Sequence, residues 1–333
     1  MTGAVANEFL LDIQNLDVSF EQQQGLAHAL RGVNIRLNSG ETHALVGESG
    51  SGKSVTSMCI MGLLAIPPGR IDRGQIIFQN RDLIQLNENE RRKVRGKDIG
   101  MIFQEPGKYL NPAYKIGEQI TESLILHFQM EKKAATEKAL ELLSLVGLGK
   151  NRRVLKSYPH ELSGGMKQRA MIAMAIACHP ALLIADEPTT ALDVTLQLQI
   201  LRLLLKLKDK FAMGILFISH DLGVVKEIAD RVSVIYAGKI IESATKNQLF
   251  ENPLHPYTKL LLLSIPDAAK RGERLRAIPG TVPDAEHIPP GCSFHPRCPL
   301  AEDVCRAEIP PDIEYDDGHK AACFLIDKKW IDS

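Results

Sequence analysis

At 333 residues the chain is long enough to bury a sizeable core, and about twice the common domain size, which points to one large domain with an appendage. Forty Lys and Arg balance forty Asp and Glu, so bulk charge gives no reason to expect a nucleic acid or an anionic surface as partner. The opening residues lack a cationic stretch followed by an apolar one, and the longest apolar runs, 58–66 and 170–178, have about half the length that crosses a bilayer, so the expectation is a cytosolic chain whose membrane partners, if any, are other subunits.

In chain order, "LLDIQNLDVSF" and "LRGVNIRLNSG" carry the alternating, β-branched residues of strands. Gly40 ends them before the apolar strand "THALV" (42–46). That strand runs into "GESGSGKS" (47–54), and "VTSMCIMGLL" reads as a helix. Between Glu105 and Pro159 strand signals fade, while "EKKAATEKALELLSLVGL" has helical spacing and high helix propensity, so a helical insert is expected over about 105–175. After "LSGGMKQR" (162–169) come a helix, the buried strand "ALLIA" (181–185), and a helix with Leu196, Ile200, Leu203, Leu204 and Leu207 on one stripe. The strand "GILFI" (214–218) follows, and "RVSVIYAGKIIES" predicts a hairpin turning at Gly238. Strands separated by helices predict a parallel sheet covered on both faces. The Pro- and Gly-rich segment 278–291 predicts a linker.

A strand, G-x-x-x-x-G-K-S and a helix form a phosphate-binding loop. Gly47, Glu48, Ser49, Gly50, Ser51 and Gly52 present backbone amides to the phosphates, Lys53 reaches the β- and γ-phosphates, and the Ser54 hydroxyl goes to Mg²⁺. "ALLIADEP" supplies Asp186, a metal carboxylate at a strand tip, and then Glu187, placed to act as general base on a water. Gln104 and His220 end two further strand-like runs. Gln104 is expected to sense the γ-phosphate and the metal, and His220 to touch the γ-phosphate and orient Glu187 and the water. "LSGGMKQR" offers a second anion-binding turn through Ser163, Gly164 and Gly165, but without a lysine it binds weakly alone and needs a partner site.

The P-loop, "FQEP", "LSGGMKQR", "LLIADEP", "ALD" and "SHD", in this order over roughly residues 8 to 250, resemble the nucleotide-binding subunit of ATP-binding cassette transporters. The resemblance implies that Ser163, Gly164 and Gly165 cap ATP held by the P-loop of a second subunit, identical or paralogous, and that two ATPs sit in a head-to-tail dimer. It further implies that Phe20 stacks on adenine and Asp193 touches the partner. Met166 and Glu105 depart from the commonest family residues without removing a phosphate ligand. "LNP" (110–112), "HPYTKLLLLSIP" (255–266) and "GCSFHPRCPLA" resemble the ATPases of bacterial dipeptide and oligopeptide importers, a group that includes nickel importers.

Cys292, Cys298, Cys305 and Cys323 crowd a short segment poor in apolar residues, which suggests a bound metal. Their spacing fits neither paired zinc knuckles nor ferredoxin runs. The family resemblance implies a [4Fe-4S] cluster, with zinc or free thiols as alternatives and His295 and His319 as alternative ligands. Lying beyond the linker, the cluster is expected to serve structure or docking, outside the nucleotide site. Cys59 and Cys178 are expected in the core.

The expected fold is thus an α/β P-loop NTPase cassette over 1–250 with a parallel-sheet core, an antiparallel β subdomain and a helical subdomain, plus a cysteine-rich extension over 251–333. The expected function is an ATPase driving peptide import, with ATP and Mg²⁺. It would sit on the cytoplasmic face of the bacterial inner membrane with two permease subunits and an extracellular solute-binding protein. A nickel or small-solute importer is the alternative. A soluble cassette ATPase of DNA repair or translation is disfavoured because neither a coiled-coil insertion nor a second cassette is present, and no nucleic acid is expected.

Overall fold

The structure is a computed structural model that describes residues 9–23, 25–190, 192–265 and 278–326. The first eight residues and Pro266, which ends the "HPY" stretch, lie outside them. The chain divides into two units, one built mainly from Phe78–Ile218 and the other from Leu11–Arg36, His43–Ile77 and the stretch from Ser219 onward.

The first unit has three parallel strands, Ile99–Ile102, Leu182–Asp186 and Gly214–Ser219, with the second in the middle. Every residue of the middle strand is buried, as a continuous apolar run in a parallel sheet requires. Pairing of Asp186 with Ile218 fixes where its polar tip emerges. The helices Ile116–Phe128, Lys132–Leu145 and Gly164–Ala175 pack on one another. Lys132–Leu145 buries Ala135, Ala139, Leu142 and Leu143, the helical spacing that its sequence displays. Gln119, buried in Ile116–Phe128, pins the "LNP" turn: its Oε1 accepts from Asn111 N at 2.9 Å, and its Nε2 donates to the carbonyls of Asn111 (3.0 Å) and Tyr114 (2.9 Å).

In the second unit His43–Val46 pairs in parallel with Arg231–Val234, and Arg231–Tyr236 forms an antiparallel hairpin with Lys239–Thr245 through Gly238. The C-terminal segment extends this sheet, since Lys320 and Ala321 pair antiparallel with Ser243 and Glu242. Buried Glu242 gathers the same region. It accepts from Leu254 N at 2.7 Å, from His255 N at 2.9 Å and from His319 Nε2 at 2.9 Å. Segment 278–291 differs from the expected linker because its carbonyls are engaged: Ala285 accepts from His28 N at 2.9 Å and Pro279 from Arg297 Nε at 2.7 Å. No helix among the described residues is long and apolar enough to cross a membrane.

Two buried imidazoles make this unit acid-sensitive. Burial pushes His43 and His255 down to about 4. The unfolded chain therefore takes up protons below its ordinary histidine pKa of about 6.5 while the folded chain does not, and stability falls as pH drops from there towards 4. At pH 5 the loss is on the order of 1–2 kcal/mol per histidine relative to pH 7.5. Urea unfolding at the two pH values checks this, and an equal midpoint at both would contradict it.

Candidate functional site

In the second unit the loop after Val46 turns into the helix Lys53–Met61, which no side chain caps, as suits a helix start that receives a phosphate. Gly47 allows a close approach: a Cβ there would lie 2.2 Å from the Ile235 carbonyl oxygen. Gly52, at φ +107°, takes a left-handed conformation at the helix start. Lys53 is buried, and its Nζ donates to the carbonyls of Gly47 (2.8 Å) and Glu48 (2.9 Å), so the ammonium lies back across the loop it serves. Ser51 Oγ is buried with no hydrogen-bond partner, and the Ser51 carbonyl accepts from Gly238 N at 2.9 Å. Ser49, Gly50 and Ser54 are exposed. This cradle fits an anionic ligand. Phe20 is half-buried on the strand Leu11–Gln22, and His220 is exposed directly after Ser219.

In the first unit Asp186 is buried at the strand tip and Glu187 follows it with φ +47°. A non-glycine residue in the left-handed region is costly, and such strain collects at working sites. The Glu187 carboxylate is fixed from two sides, since Oε2 accepts from Gln104 Nε2 at 2.7 Å and from Thr190 Oγ1 at 3.0 Å. Gln104 and Glu187 are 83 residues apart in sequence and meet because the strands before them are neighbours. With Nε2 turned to Glu187, the Gln104 amide oxygen is the atom a metal would take. Asp186, on the neighbouring strand, carries a carboxylate, which like the amide oxygen is a hard donor of the kind Mg²⁺ prefers.

The same unit carries the second turn. Ser163 caps the helix Gly164–Ala175, its Oγ accepting from Met166 N at 3.4 Å, while Ser163 and Gly164 stay exposed and Gly165 packs close to Leu196. Asp193 is exposed and caps Val194–Phe211, accepting from Leu196 N at 2.9 Å. Sequence reasoning missed two supports here. Buried Gln168 donates Nε2 to the Pro188 carbonyl at 2.7 Å, tying the second turn's helix to the segment after Glu187. Thr190 is the other, and its spacing of three residues from Glu187 was the only available signal.

The cysteine expectation is corrected. Among the described residues no group of three or more His, Cys, Asp or Glu is placed to hold a metal ion. The four thiols line a cavity of about 10 Å³ together with Phe294, Pro310, Phe324 and Leu325, room for roughly one water and not for a [4Fe-4S] cluster. Burial pushes the Cys298 thiol up to about 12 and the Cys323 thiol to about 11, and it also raises that of Cys292. Both candidate imidazoles are engaged, His319 with Glu242 and His295 Nδ1 with the Cys292 carbonyl at 3.0 Å. Cys292, Cys305 and Cys323 pack with Leu325 and Phe324 as small apolar residues, and Cys59 and Cys178 are likewise buried.

The expected separation of this segment from the nucleotide loop is also corrected. Arg297 Nη2 donates to Glu48 Oε2 at 3.1 Å, Nη1 lies 3.1 Å from Oε1, and the Tyr257 hydroxyl accepts from Glu48 N at 3.1 Å. Sequence reasoning assigned neither residue a role.

Two family models match the chain: ABC transporter over residues 30–190, and oligopeptide/dipeptide transporter, C-terminal region, over 241–305. The oligopeptide transport ATP-binding protein AppD of Bacillus subtilis is 51% identical over 96% of this chain and 98% of its own length. The dipeptide transport ATP-binding protein DppD of the same organism is 49% identical over 97% and 96%. Among solved structures, a dimeric post-hydrolysis state of the ATP-binding cassette MJ0796 bound to ADP and Pi is similar with a TM-score of 0.64 and 28% identity, over 71% of this chain and 98% of that one. CbiO1 from Clostridium perfringens, part of the transporter complex cbiONQ, has a TM-score of 0.62 and 25% identity over 74% and 92%.

Proposed function

The chain belongs to the ABC transporter family, in its oligopeptide and dipeptide branch, and from that we propose that it is the ATP-hydrolysing subunit that powers import of di- and oligopeptides. The carrying observation is the match near 50% identity over almost the whole chain to oligopeptide and dipeptide transport ATP-binding proteins.

In this reading the Gly47–Ser54 loop and Lys53 receive the β- and γ-phosphates, and Phe20 stacks on adenine. Ser54, Gln104 and Asp186 would hold Mg²⁺, which would supply positive charge to the phosphate oxygens. Glu187 accepts the proton of the attacking water, with Gln104 and Thr190 fixing its carboxylate, and His220 orients that water against the γ-phosphate. Ser163, Gly164 and Gly165 close over ATP bound to a second ATPase subunit, and Asp193 lies at that contact. The dimeric state of MJ0796 supports this pairing. Two permease subunits cross the membrane, an external solute-binding protein delivers the peptide, and this subunit works on the cytoplasmic face. The helices over 105–175 are the surface offered to the permeases, and 251–333 is an extension appended to the cassette of 1–250.

The test is reconstitution with the permeases in proteoliposomes. ATP inside and peptide-loaded binding protein outside should give peptide uptake, and hydrolysis without uptake of any peptide would overturn the import assignment. Lys53→Ala should weaken ATP binding about 10- to 100-fold, the scale of a lost charge-assisted hydrogen bond. Titration with a fluorescent ATP analogue measures it, and unchanged affinity would remove Lys53 from the site.

A further inference from the structure

We propose that Arg297 and Tyr257 are positioning residues of the nucleotide site: they hold Glu48, and through its carbonyl Lys53, in the conformation that receives phosphate. The proposal rests on reading Gly47–Ser54 as the ATP loop.

Glu48 is gripped at three points of one residue. Its N–H donates to the Tyr257 hydroxyl at 3.1 Å, its carboxylate faces the Arg297 guanidinium at 3.1 Å on both oxygens, and its carbonyl accepts from Lys53 Nζ at 2.9 Å. The first two partners come from the C-terminal region, Arg297 lying 249 residues beyond Glu48. One hydrogen bond, Nη2 to Oε2, holds the carboxylate, and Nη1 adds an ion-pair contact to Oε1, which has no hydrogen-bond partner of its own.

Arg297 itself has little freedom. Its side chain is 6% exposed, Nε donates to the Pro279 carbonyl at 2.7 Å, Nη1 donates to the Tyr236 hydroxyl at 3.3 Å, and the guanidinium lies 5.7 Å from the Tyr236 ring centre. Tyr236, Tyr257 and Phe294 are fully buried and pack edge to face, with ring centres 4.7 to 5.3 Å apart. Phe294 and Arg297 lie between Cys292 and Cys298. The packed cysteine segment therefore carries, before its second cysteine, an arginine aimed at the phosphate loop. A flexible loop must be ordered before it can bind, and a prior contact that orders it raises affinity without touching the ligand. Holding the Glu48 carbonyl also holds the acceptor against which Lys53 rests, so the lysine stays over the loop instead of extending into solvent.

The experiment measures ATP affinity, KM and kcat on the full chain for Arg297→Gln, Arg297→Lys, Tyr257→Phe and Lys53→Ala. Arg297→Gln should raise the Kd and KM for ATP about tenfold with kcat within about twofold, the range of an ordinary coupling between sites. Arg297→Lys, which keeps a charge for Glu48, should recover part of that loss. Tyr257→Phe removes only the hydroxyl and should raise Kd about threefold. A merely structural role would lower the melting temperature and leave the Kd of the folded protein unchanged. If Arg297→Gln fails to fold, Tyr257→Phe and Arg297→Lys decide. Native Kd in both, with binding lost in Lys53→Ala, overturns the brace and leaves the ATP site standing. Native Kd in Lys53→Ala overturns the ATP-site reading itself.

Discussion

Glu187→Gln should bind ATP with native affinity and hydrolyse it about 10²- to 10⁴-fold more slowly, the usual cost of removing a general base. The substitution is close to isosteric, and the retained amide oxygen can still accept from Gln104 Nε2 and Thr190 Oγ1, which now meet at Glu187 Oε2. The left-handed backbone at Glu187 is unaffected by the exchange, since it belongs to the turn and not to the carboxylate. Only the proton acceptor is lost. Binding titrations and single-turnover hydrolysis separate the two effects, and near-native single-turnover rates would remove Glu187 from the role of base. Thr190→Val offers a milder companion: it frees one hydrogen bond on the carboxylate and should slow turnover by much less.

The strand, loop and helix start around Gly47–Ser54 were legible because their requirements are local. A buried strand, glycines where the backbone crowds Ile235, and a helix start all fall within a dozen consecutive residues. The strand tips bearing Gln104, Asp186 and Glu187 were legible for a related reason. Uniform apolar runs mark parallel strands, and polar residues just past them collect at one sheet edge. What stayed hidden depends on partners far away in sequence. Nothing near Arg297 announces that its guanidinium meets Glu48, and nothing near 278–291 announces that Ala285 pairs with His28. The cysteine error has the same origin. Four thiols close in sequence raise the expectation of a metal, but whether they pack with Phe294 and Leu325 or face a ligand is a property of the fold. Gln168 shows the intermediate case: it sits inside a recognised motif, and its bond to Pro188 needed the folded chain to be seen.

The Ser163→Arg variant tests the proposed sharing of one site between two subunits. Ser163 is exposed and caps the helix Gly164–Ala175, so arginine there leaves the core intact and costs about 1 kcal/mol of helix capping. ATP should still bind the monomer, because the Lys53 loop is unaltered. A long cation at the turn blocks the approach of a second subunit's bound ATP and removes the Ser hydroxyl and the ordered amides that would face it. Hydrolysis should therefore fall about 10²-fold or more, comparable to losing a preorganised donor at a transition state. Mixing gives the sharper result. In a dimer of one Ser163→Arg chain and one Glu187→Gln chain, head-to-tail sharing puts both lesions in one site and leaves the other with a native base and a native turn. Equal amounts should thus restore native composition to about a quarter of all sites, half the dimers being mixed and each carrying one intact site. Hydrolysis above that of either variant alone is the expected outcome. If each chain completed its own site, no mixture could recover activity, and a flat response across mixing ratios would contradict sharing.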